Sequence, residues 1–244
     1  MKKKVILILI ILGVFLVLFL GIKKLRTGTN KKIVETTVQE QTLVNKVIVI
    51  DPGHGGFDNG ATYGNVNEDE LNLKISLALK EELEARGATV YLTRDEDYDM
   101  TERTYNYSKQ DDMYLRALKI DSYSPDFFVS IHLNASSSSS AWGSQVFYYA
   151  KSTLGNLAAS IIHTHMKKVT GSSKRIQTGD FYILRSTGSV GVLIECGFIS
   201  NSNERGQLSN SSYHAKLATS ISDGIEEYFQ TDEYKQSSLE PEAP

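Results

Sequence analysis

The sequence has a single cysteine, Cys196, in 244 residues. That excludes an intramolecular disulfide and any zinc site built from several thiolates. Basic charge is not in excess either: 26 Lys and Arg against 29 Asp and Glu leave a formal net charge of -3 and a pI near 6.0. With no basic footprint, nucleic acid is not an expected partner. No G-x-S-x-G elbow occurs, which argues against a serine hydrolase. Nor is there an aspartate-rich set of the kind that holds two metals for phosphoester chemistry. No internal repeat is visible. What is present is ordinary for a globular protein, 41% apolar and 23% charged residues. The length suits one substantial domain with appendages.

The amino terminus carries one long apolar run, VILILIILGVFLVLFLGI at residues 5–22. Eighteen residues rising about 1.5 Å each span roughly 27 Å, close to the hydrocarbon thickness of a bilayer. No small-x-small cleavage site follows, and no cysteine that a lipid would modify. The expectation is an uncleaved single-pass membrane anchor at 1–26, with secretion after signal cleavage as the alternative. Lys2, Lys3 and Lys4 flank one side and Lys23, Lys24 and Arg26 the other, so the positive-inside rule sets no orientation. Residues 27–45 read as a polar linker, 46–230 as the globular body and 231–244 as a disordered acidic tail.

Within the body, strand and helix patterns alternate. Strands are expected at 46–51, 88–93, 126–132, 144–149, 181–184 and 191–195. Helices are expected at 68–86, 113–123, 156–169 and 212–229, and 57–66 reads as loop. Strands separated by helices predict an α/β fold, one domain with a mostly parallel, sandwiched sheet. In such sheets ligand sites gather at the carboxyl ends of the strands. Three of the expected strands end in residues that suit a metal or proton transfer: one in Asp51-Pro52-Gly53-His54, one in Ser130-Ile131-His132 and one in Ile194-Glu195-Cys196.

Each of these residues also has a plainer reading. His54 between glycines fits a tight turn, and His132 fits a satisfied strand-end histidine. Glu68, Asp69 and Glu70 all suit the first turn of a helix with Asn67 as its cap, where any acid complements the helix dipole. Spacing alone does not choose among the three. Glu195, after four largely apolar residues, fits either a buried acid paired with an arginine such as Arg185 or a general base. Cys196 reads as packed rather than reactive. His163 and His165, two apart on a helix, face different ways and make a poor metal pair. His214 reads as a surface residue. Two histidines and a carboxylate on separate elements are nevertheless a familiar catalytic zinc set.

Taken together, the blocks resemble the zinc-dependent N-acetylmuramoyl-L-alanine amidases of the amidase type 3 family. Val49-Ile50-Asp51-Pro52-Gly53-His54-Gly55-Gly56, with Asp58 and Gly60-Ala61, is similar to the opening motif. Glu68-Asp69-Glu70-Leu71-Asn72-Leu73 is similar to the second, with Asp69 where relatives carry lysine. Phe128 through Ala135 and Val192 through Asn201 resemble the third and last motifs, and residues 179–185 the segment before the last strand.

The resemblance implies a sheet of about six strands with helices on both faces. It implies one Zn²⁺ per chain on His54, Glu68 and His132, with Glu70 as the fallback ligand, and Glu195 as the catalytic base. Asn134 and Arg185 are expected to contact substrate. The implied substrate is bacterial peptidoglycan, cut between N-acetylmuramic acid and L-alanine, with the catalytic body outside the cell membrane. The competing expectation is a catalytically silent wall-binding module of the same fold. No protein activator is implied. Residues 149–180 leave room for one helix and a short loop, and no built-in plug of the active site is expected.

Overall fold

The computed structural model describes residues 41–101 and 108–238. The anchor expected at 1–26 and most of the linker lie outside the described residues. Among those described, no helix is long and apolar enough to cross a membrane.

The centre of the fold is a six-stranded sheet. Four parallel strands adjoin one another in the order β4 (Thr89–Leu92), β1 (Val47–Pro52), β5 (Phe127–Asn134) and β8 (Gly191–Phe198). Next to β8 lies β6 (Gln145–Tyr148), antiparallel to it, followed at the edge by β7 (Gln177–Thr178). A small separate hairpin joins β2 (Thr62–Tyr63) to β3 (Val66–Asn67) within the stretch expected to be loop. The mostly parallel α/β sheet expected from the alternating pattern is therefore present.

Strand side chains alternate between faces, and here the two faces have different cover. Ile48, Ile50, Phe127, Val129, Ile131, Val192 and Ile194 point into the larger core. That core is closed by three long helices, α1 (Glu68–Ala85), α3 (Thr153–Thr170) and α6 (Ser211–Gln230). The alternate positions Val49, Phe128 and Leu193 face a smaller core under α2 (Lys109–Ser122) and the one-turn α4 (Tyr182–Ser186). Continuing the same alternation, Asp51, Ser130, His132 and Glu195 fall on this thinly covered face. The strand period thus sends the polar residues toward the side with an opening.

Several expectations change. Residues 181–184 form no strand: Leu184 and Arg185 donate their N–H groups back to the Phe181 carbonyl at 3.1 and 3.2 Å, making α4. The sheet position beside β6 is taken by β7, and Ile183 and Leu184 are buried in the smaller core instead. A four-residue apolar run does not distinguish these outcomes. α2 begins a turn earlier than expected, where Ser108 accepts from Asp111 N–H. A short helix α5 (Ser202–Leu208) follows β8. The stretch read as a disordered tail is helical over α7 (Asp232–Ser237), because Tyr234 is buried and its hydroxyl reaches Lys46 at 2.8 Å and Asp126 at 3.0 Å. Leu43, assigned to the linker, is fully buried in the larger core.

Candidate active site

Four elements meet at the carboxyl edge of the sheet. β1 ends at Pro52, and the chain turns through Gly53 to His54, whose backbone lies in the left-handed region at φ 61°. A non-glycine residue there is strained and is held by its surroundings. The grip comes from two buried arginines. Arg116 on α2 donates to the carbonyls of Pro52 and His54, while Arg94 donates to those of Pro52 and Gly53. Arg116 also bonds Asp51 at 2.9 Å and Asp112 at 2.7 Å. Burial disfavours the Asp51 charge, but Arg116, Thr93 and Ser130 together hold its pKa below the ordinary carboxylate value. Removing one partner of such a buried pair typically costs about 3–5 kcal/mol.

His54 and His132 come together edge to face, with ring centroids 4.9 Å apart. The approach requires glycine at 53, where a Cβ would lie 2.2 Å from the His132 ring. Glu68, the first residue of α1, reaches between them. Its Oε1 is 3.2 Å from His54 Nε2 and 3.1 Å from His132 Nδ1. The turn before α1 fixes that carboxylate: Ala61 N–H donates to Oε2 at 2.8 Å and Leu133 N–H to Oε1 at 3.1 Å. Gly60 is forced as well, since a Cβ there would sit 2.6 Å from Glu68 Oε2.

Of the three acids, Glu68 is the one that reaches both histidines. Glu70 is exposed and pairs with Lys74. Asp69 is buried, and its backbone carbonyl receives Arg94. Asn67 occupies the cap position without capping; its side chain accepts from Thr62 instead.

His54, Glu68 and His132 offer three ligand atoms that lie within 4.8 Å of one another, and among the described residues they form the one such group. Two imidazole nitrogens and one carboxylate oxygen are a donor set that suits zinc, with a position left for another ligand. On its other side, His54 Nδ1 is 2.9 Å from Asp58 Oδ2. That contact orients the ring so that Nε2 faces the site, as outer-shell carboxylates do for ligating histidines. Burial opposes a charged His54, yet Asp58 and Glu68 outweigh it and raise its pKa to about 9. Burial likewise opposes the Glu68 charge, and His132 and His54 pull its pKa far below the carboxylate range.

Glu195 is the cross-strand partner of His132 on β8. Its Oε2 is buried and makes no hydrogen bond. Burial, with the negative charge of Glu68 added, pushes its pKa up to about 8, against the opposing pull of His54. Arg185 is not its partner. That guanidinium is bonded to Asp180 at 2.9 Å and lies over Tyr182, and it does not line the cleft. Asn134 does line it, just beyond a register shift in β5.

The cleft itself holds about 330 Å³. It is lined by Lys109, Asp112 and Met113 from α2 and by Phe181, Tyr182 and Ile183 around the start of α4. None of residues 150–180 lines it; they form α3 and β7.

The family described as N-acetylmuramoyl-L-alanine amidase matches residues 48–227, most of the chain and all four elements of the site. The chain belongs to that family. The germination-specific N-acetylmuramoyl-L-alanine amidase of Bacillus subtilis strain 168 is 36% identical over 194 residues, covering 77% of this chain and 81% of that protein. Among solved structures, the CwlD amidase of Clostridioides difficile, determined in complex with the GerS lipoprotein, superposes with a TM-score of 0.72 at 33% identity. It covers 77% of this chain and 100% of its own. The catalytic domain of CwlV from Bacillus (Paenibacillus) polymyxa var. colistinus gives a TM-score of 0.66 at 30% identity, over 75% of this chain and 98% of its own. The protein is an amidase.

Sequence reasoning missed several parts of the amidase site. Arg116 gave no local signal, because its partner Asp51 is 65 residues away. Lys109 lay outside the helix expected from 113, and residues 181–184 were expected as a strand rather than as the start of α4. His214, expected at the surface, is buried with Nε2 on the Leu208 carbonyl. His163 and His165 do face different partners, Lys174 and Glu227. Cys196 is fully buried in the larger core, on the face away from the cleft.

Proposed function

We propose that the amidase hydrolyses the amide between the lactyl group of N-acetylmuramic acid and the L-alanine of the stem peptide, with His54, Glu68 and His132 holding one zinc ion and Glu195 acting as general base. The observation that carries this reading is the pairing of a compact two-histidine, one-carboxylate set with a buried, unbonded carboxyl oxygen on the neighbouring strand. Zinc in such a set supplies Lewis acidity and lowers the pKa of a water to about 7.

The chain's own residues supply the rest. Asp58 fixes the His54 ring, and the Ala61 and Leu133 N–H groups fix the Glu68 carboxylate. Glu195 Oε2, facing no other donor, takes the proton of the attacking water and passes it to the departing amine. With a cation held by His54, Glu68 and His132, the carboxylate form of Glu195 would be favoured, because a nearby positive charge opposes the upward push of burial on its pKa. Arg94 and Arg116 lock the turn that carries His54, so the ligands are held before substrate arrives. Asn134 lines the cleft as the substrate contact on β5.

The apolar run at 5–22 is proposed to anchor the chain, with residues 27–40 as the linker and the catalytic body on the wall side of the membrane. Incubating the full-length protein with purified peptidoglycan tests the chemistry. Mass spectrometry of the products should show new amino-terminal L-alanine, lost with a chelator and restored by zinc. New reducing sugar ends without free L-alanine would contradict it, and a zinc-loaded protein that binds wall without cutting would be the silent module.

A further inference from the structure

We propose that Lys109, at the mouth of the cleft, selects stem peptides that carry a free carboxylate on the residue following the cut L-alanine. The inference rests on the amidase reading above and deepens it.

Lys109 opens α2 on the face that walls the cleft. It shares that face with Asp112, Met113 and Arg116, spaced i, i+3, i+4 and i+7. The cleft lining is otherwise rich in acid: Asp51, Asp58, Glu68, Asp112 and Glu195. Among the described lining residues, the only lysine or arginine side chains are Lys109 and Arg116. Arg116 is buried and committed to Asp51, Asp112 and two backbone carbonyls. Arg94, behind the turn, is likewise committed to the carbonyls of Pro52, Gly53, Glu96 and Asp69.

Lys109 differs from both. Its side chain is 66% exposed, and its ammonium lies 3.3 Å from Asp58 Oδ2. An ammonium has three N–H donors, so it can keep Asp58 and receive a second carboxylate from solvent. Asp58 Oδ2 in turn faces His54 Nδ1 at 2.9 Å, which places the lysine one residue behind the metal cluster rather than at a remote surface.

A stem peptide leaving the cut amide offers its first ionised group at the second residue, when that residue is a glutamate linked through its side chain. The same position occurs chemically as a carboxylate or as a carboxamide. A carboxylate there finds its donor at the exposed Lys109 ammonium, since Arg116 is already committed to Asp51 and Asp112. The carboxamide gains no charge-assisted bond. The lysine therefore sets a preference for the acid form, expressed in substrate binding.

The test uses the zinc-loaded full-length protein and two muramoyl peptides that differ only in carboxylate or carboxamide at the second residue. The expected result is a kcat/KM preference for the acid form of about fivefold, the scale of an exposed charged contact, carried in KM and shrinking as salt is raised. Lys109→Met should bring the ratio to about one with zinc content retained, and Lys109→Arg should keep the preference. The salt dependence of the wild type reads the same contact even if a variant fails to fold. A wild-type ratio near one, a ratio insensitive to salt, or a Lys109→Met protein with the wild-type ratio would each overturn the inference and leave the amidase reading standing. Failure of the wild type to cut either peptide would remove both.

Discussion

Glu195→Gln loses on the order of 10²–10⁴ in kcat on peptidoglycan while retaining its zinc, the range expected when a positioned general base is removed. The substitution keeps the size and planarity of the side chain, so the neighbouring Leu193 and Cys196 remain packed as they are. It does not disturb a hydrogen bond at Oε2, because that atom has none. What it removes is the capacity to accept a proton. An unbonded carboxyl oxygen in a buried site is costly unless it serves a purpose, and a proton from the attacking water supplies one. Retained zinc separates this loss from a collapse of the ligand set. A Glu195→Gln protein with near-normal kcat would show that the proton goes elsewhere.

His54→Ala loses both zinc and turnover. His54 Nε2 faces Glu68 Oε1, and its Nδ1 faces Asp58, so the ring is held from both ends. Taking away an outer-shell partner alone lowers metal affinity roughly 10–100-fold, and deleting the ligand itself exceeds that. The remaining pair, Glu68 and His132, still contact each other at 3.1 Å and leave the fold of β5 and α1 in place. Zinc titration after dialysis, read beside circular dichroism, separates loss of the metal from loss of the fold. A His54→Ala protein that binds zinc with unaltered affinity would put the ligand set elsewhere.

Much of this arrangement was legible in the sequence, for identifiable reasons. The apolar runs of β1, β5 and β8 and the periodicity of α1 announce a parallel sheet, and the strand-end rule then brings His54, His132 and Glu195 to one edge. The alternation of side chains along β5 and β8 puts His132 and Glu195 on the same face as cross-strand neighbours. Glu68 was a different matter. Three consecutive acids serve the first turn of α1 equally well, and the choice is made by the fold of residues 60–61, whose Ala61 N–H reaches back to Glu68 Oε2.

Long-range partners were not legible at all. Arg116 reads as one more charged residue on an amphipathic helix until Asp51 and the turn carbonyls close around it. Tyr234 sits in an acidic, polar stretch, and its burial depends on Lys46 and Asp126 at the far side of the sequence. The run Phe181 to Leu184 is apolar enough for a strand, but β7 takes the place beside β6 and residues 182–186 form α4. Local pattern sets the elements; contacts between distant residues decide which side chains those elements leave at the cleft.

The most direct measurement of the central claim is anomalous diffraction at the zinc edge from crystals of the full-length protein. The account predicts one strong peak per chain, about 2.0–2.2 Å from His54 Nε2, Glu68 and His132 Nδ1. A peak on other residues, or a fully active protein with none, would contradict it.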